Sequence, residues 1–205
     1  MQGITTAMAG MSLAFALLGT SPFLLLSLVV PYAMLRAREN RSDRPDPQVG
    51  LKAALYAFFS LGIVIFLTGL TVVVVDLLLE KPRPVSGLSE AQRNGLALMV
   101  AGLLVTLLHL VLVKSMTNDS RSYAARRMFA GWRLAVHGLV VVFAFAALMM
   151  VLFQKDFGDK ELRKTFFGML LVWFPSWVLH LVLVGFYSRQ LYTPSRTGDE
   201  WESAG

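Results

Sequence analysis

Five apolar stretches, residues 7–35, 53–79, 95–113, 134–153 and 166–187, hold between them a single charged side chain, Asp76, while all 19 Lys and Arg stand in the connections. A charge at mid-bilayer costs at least about 2.5–3.5 kcal/mol on insertion scales. Segregation this complete marks segments built to lie in hydrocarbon, and each reaches the ~20 residues that a crossing helix needs. The expected fold is all-α, a polytopic membrane helical bundle of five transmembrane helices. Composition agrees, with 56% apolar residues and a mean hydropathy of +0.61. Five spans and their connections use up the 205 residues, so the expectation is one transmembrane domain over residues 1–192 and a disordered cytoplasmic tail over 193–205. The first stretch lacks a basic n-region and is too long for an h-region, so it is read as a retained span.

The alternating connections differ in Lys and Arg. One side gathers Arg36, Arg38, Arg41, Arg44, Lys52, Lys114, Arg121, Arg126, Arg127, Arg133, Arg189 and Arg196, against seven on the other. The positive-inside rule places the N-terminus outside and the C-terminus in the cytoplasm, in an integral protein of a bacterial inner membrane. Pro22, near the middle of the first stretch, removes a backbone donor and predicts a kink there. The segment 36–46 alternates charges before Pro47 and reads as a solvated loop without chemistry.

Gly62, Gly69 and Asp76 recur every seven residues on one face of the second span, which reads as a packing seam, because small residues let helices approach in lipid. Asp76 falls near the outer boundary, where solvation is favoured over pairing with a base from the following connection. Ser86 or Ser89 is placed to cap the third span. Gly95, Gly102, Thr106 and His109 form a stripe on that span, and Trp173, Ser176, Trp177 and His180 form one on the fifth. In lipid such faces should turn toward protein.

Chemistry is confined to few residues. Cysteine is absent, which excludes disulfides, thiolate metal sites and cysteine nucleophiles. No glycine-rich phosphate loop, G-x-S-x-G elbow or H-E-x-x-H motif is present. His109, His137 and His180 all fall within apolar stretches, and the lengths to Lys114, Arg133 and Arg189 put them in the cytoplasmic half. These three are the candidate cofactor-binding residues. A haem or a metal ion held through His109 and His180, with or without His137, is one reading. Buried imidazoles bonded across helix interfaces are the plainer one. His109 and His180 are expected to face each other or a shared cavity, and His137, four residues beyond Arg133, to be peripheral.

The segment 114–133 predicts a helix at the cytoplasmic surface or an extension of the fourth span, with Ala124, Met128 and Trp132 as its apolar stripe. Arg121, Arg126, Arg127 and Trp132 are expected to contact an anionic cytoplasmic leaflet or a partner protein. Residues 154–165 read as a mixed-charge solvated connector. Nucleic acid is not an expected partner. Two functions follow: a non-catalytic packing or scaffold subunit of a larger or oligomeric membrane assembly, or a histidine-based redox or ion-conducting protein. The first is preferred.

Overall fold

The structure, a computed structural model, describes residues 29–38, 40–41, 46–79, 87–117, 124–153 and 160–189. Every regular element among them is helical: α1 over 29–38, α2 Val49–Leu78, α3 Glu90–Met116, α4 Ala124–Phe153 and α5 Lys160–Arg189. The last four are long and apolar enough to cross a membrane. This is a multi-pass integral membrane protein. The Pro22 kink, most of the first span, Ser86, Arg121 and the 193–205 tail lie outside the described residues.

The helices overrun the apolar stretches, and the reason is dimensional. A 30-residue helix spans about 45 Å at 1.5 Å per residue, the thickness of a bilayer with its headgroups rather than of its hydrocarbon alone. Hydropathy finds only the inner part. Hence α4 takes in the arginine-rich 124–133 segment as an extension of the span. Likewise α5 starts at Lys160, so the second half of the expected 154–165 connector is helix. Glu161 sits in the first turn of α5, where it complements the helix dipole, and Thr165 Oγ1 donates to its carbonyl at 2.8 Å. At the start of α3, Ser89 accepts from the Gln92 amide while Gln92 reaches back to Ser89, a reciprocal capping box.

α2 is the hub, approached closely by α3, α4 and α5, while among these four helices α3 makes its close backbone approach to α2 alone. The α2/α3 pair is antiparallel and joined by glycines, Gly62 opposite Gly102 and Gly69 opposite Gly95. A Cβ added at Gly62 would stand 2.9 Å from the Gly102 carbonyl oxygen, and one at Gly95 2.8 Å from that of Gly69. These backbones touch with no side chain between them. α4 and α5 pair differently, through a side chain, with the Trp177 ring laid against Gly138. α2 and α4 begin, and α3 and α5 finish, at one end of the bundle, called the basic end below. There Leu35, Val49, Ala53, Tyr56, Val113 and Phe129 form a buried cluster. Along the outer faces Val100, Leu104, Leu108, Val142, Phe153 and Val182 are exposed, as acyl chains would require.

Candidate functional site

The interior polar groups are set by the face that α4 buries. That face is Ala125, Phe129, His137, Ala144, Ala147 and Val151, with Arg133 on the same line between Phe129 and His137. It corrects the expected Ala124, Met128, Trp132 stripe by one position. Arg133 is nine residues into α4, about 13 Å from its start, and is half-buried there. Its Nη1 donates to Ser60 Oγ at 3.0 Å, and its guanidinium lies 5.1 Å from the centre of the Phe59 ring. Ser60 in turn donates to the Tyr56 carbonyl at 2.7 Å. An arginine thus ties α4 to α2 inside the bundle.

One turn further on, His137 is fully buried, with 0% exposure. Its Nδ1 shares a hydrogen bond with Ser176 Oγ at 3.1 Å, and its ring meets Trp173 edge-on at 5.3 Å. Its Nε2 is buried with no hydrogen-bond partner. His180, 7% exposed, donates from Nδ1 to the Ser176 carbonyl at 2.8 Å. The two imidazoles are in edge-to-face contact, 4.4 Å between centroids. Ser176 therefore serves both histidines, one through its hydroxyl and one through its carbonyl. It follows Pro175, which stands inside the continuous helix α5 and removes one backbone donor there. Trp173 completes the junction, its Nε1 donating to Thr71 Oγ1 of α2 at 3.0 Å.

This arrangement reverses the expected pairing of histidines. His109 does not face His180: its Nδ1 donates to the Val105 carbonyl at 2.8 Å and its ring stacks on Phe58, 5.2 Å away. α3 and α5, which carry the two, make no close approach. His137 is the central member and not the peripheral one. Among the described residues no three His, Asp or Glu side chains converge as metal ligands would. Two imidazoles on opposite faces of one haem iron, with bonds of about 2 Å, stand more than roughly 6 Å apart at their centroids. His137 and His180 are too close for a macrocycle between them.

Two further polar sites depart from expectation. Asp76 is half-buried and accepts from Ser89 Oγ at 2.8 Å, a bond to the cap of α3 that the sequence reading does not include. Asp46, read as part of a solvated loop, is buried: one carboxylate oxygen accepts from the Gln48 amide at 2.9 Å and the other meets Lys52 Nζ at 2.6 Å. Lys52 is 0% exposed. Of the arginines expected at the leaflet, Arg127 is exposed and Arg126 half-buried, as is Trp132.

A cavity of about 360 Å³ opens beside the cluster, within the usual range for ligand sites. α2 supplies Tyr56, Phe59 and Ile63, and α5 supplies Leu179, His180 and Leu183. Lys114 of α3 and Arg126 and Arg133 of α4 bring three cations to its wall, and no carboxylate lines it among the described residues. Comparison with protein-family models, curated proteins and solved structures finds no match to this chain.

Proposed function

We propose that this chain is a non-catalytic, scaffold-type subunit of a larger or oligomeric membrane assembly, seated in a bacterial inner membrane. The observation that supports this reading is how the interior polar side chains are used. Trp173 to Thr71, Arg133 to Ser60, His137 to Ser176 and Asp76 to Ser89 each join one helix to another or to its cap. In lipid, where apolar contact gives no net drive between helices, such bonds and close backbone packing hold a bundle together. Native mass in mild detergent tests the assembly, with a visible spectrum and metal analysis on the same sample. The expected result is a mass at least twice that of the 22.7 kDa chain. A stable monomer would defeat the proposal. A Soret band or stoichiometric metal would favour the histidine-based alternative, for which the unpartnered Nε2 of His137 beside His180 is the supporting observation.

The proposed orientation puts the basic end in the cytoplasm, because Lys52, Lys114, Arg126 and Arg127 belong to it. A cysteine at Gln48 should resist a membrane-impermeant maleimide added from outside, whereas one at Ser86 should react. The reverse pattern inverts the topology.

A further inference from the structure

The cavity beside Arg133 is a slot with a particular shape. α2 forms its floor, α3 one side, and α4 with α5 the other. α3 makes no close approach to α5, so among the described residues the slot has no wall between them. Its residues there are apolar and outward-reaching: Leu179 is exposed, and Leu110 and Leu183 are partly so. Among the described residues the opening therefore lies on the apolar outer side of the bundle.

Charge grades along the slot. On α4, Arg126, Ala130 and Arg133 fall at i, i+4 and i+7, one helical face about 10 Å long. Lys114 joins from the last turn of α3. Arg133 is held by Ser60 and stacked on Phe59, so one of its donors is fixed in orientation before a ligand arrives. A single carboxylate needs only one bidentate arginine. Three cations around one slot suit a headgroup with more than one phosphate-borne charge. Basic pockets between transmembrane helices at the cytoplasmic side are the kind of site that takes such headgroups.

We propose that this slot binds an anionic phospholipid, with its phosphate headgroup among Lys114, Arg126 and Arg133 and its chains leaving between α3 and α5. The ligand would enter sideways from the bilayer, and the neighbouring Arg127, exposed and off the slot wall, would not take part. The assignment holds whether the chain works singly or in an assembly.

The test is native mass spectrometry of the full chain from micelles containing equal amounts of phosphatidylcholine and cardiolipin. Wild type should retain cardiolipin in preference. Lys114→Gln with Arg126→Gln should lower that retention about 10- to 30-fold, at roughly one charge contact each, while Arg127→Gln leaves it unchanged. Thermal midpoints in phosphatidylcholine alone check that the variants fold. Should the double variant not hold its midpoint, the exposed Lys114→Gln alone should lower retention about 5-fold. Equal retention of both lipids by wild type, or an equal loss on Arg127→Gln, would overturn the proposal. So would displacement of the lipid by millimolar inorganic phosphate, which would mark a free-phosphate site. Disulfide trapping of a cysteine at residues 7–28 against one at Leu179 would overturn it too, by giving the slot to the chain's own first span.

Discussion

Lys52→Ala is expected to destabilise this protein by about 3–5 kcal/mol, the usual penalty for breaking a buried ion pair from one side. The Lys52 ammonium and the Asp46 carboxylate are both buried and 2.6 Å apart, so removal of the lysine takes a charged partner from a buried carboxylate with no bulk water to replace it. The Gln48 amide, which also donates to Asp46, offsets only part of the loss. Denaturant titration of the detergent-solubilised protein, followed by tryptophan fluorescence, measures the change. The double variant Asp46→Leu, Lys52→Met should recover most of it, since apolar residues of similar volume commonly replace a buried pair at little cost. A loss under about 1 kcal/mol for Lys52→Ala would show that water reaches this pair.

Gly102→Val should separate α2 from α3. A Cβ at position 102 would stand 2.7 Å from the Gly62 carbonyl oxygen and closer still to the Phe66 amide, and backbone cannot rotate out of the way as a side chain can. Overpacking in an adaptable core costs about 1–3 kcal/mol. Here the cost should exceed that range, because relief requires moving a whole helix and losing the seam with it. Thr106 lies one turn on and would lose its place against Gly62 as well. Gly50→Val is the control, since a Cβ there meets nothing within 4 Å. Protease resistance and thermal midpoint should fall for the first and hold for the second. Equal midpoints would remove the seam from the account of stability.

The bundle could be read from hydropathy because the solvent imposes it: lipid tolerates few unpaired polar groups, and the chain shows where they were removed. The glycine seam was readable too, since a seven-residue spacing returns to nearly the same helix face. What failed was depth. Distances were counted from the nearest Lys or Arg as though each stood free at the helix end, but Arg133 is half-buried against α2, reaching Ser60 and Phe59. His137 therefore looked peripheral when it is fully buried, one turn beyond a half-buried arginine. The four-residue spacing Ala125, Phe129, Arg133, His137 carried the correct signal. Pairing across helices was not accessible in this way. That His180 meets His137 and not His109 follows from α2 standing between α3 and α5, and a single sequence gives no helix order. Asp46 and Lys52, six residues apart across a helix start, match no recurring motif.

The contact of Gly62 with Gly102 and of Gly69 with Gly95 also limits how this chain can drift. Elsewhere exchange has room: Thr71, which accepts from Trp173, could become serine and keep the bond, and an outward Leu104 could become any apolar residue. At the four seam positions a methyl group already collides with backbone. Distant kin could therefore lose nearly all recognisable likeness in their lipid-facing residues and still carry two glycine pairs, each with six residues between its members, one in each arm of a helical hairpin. That sparse pattern, set by backbone contact, is the trace by which they could be found.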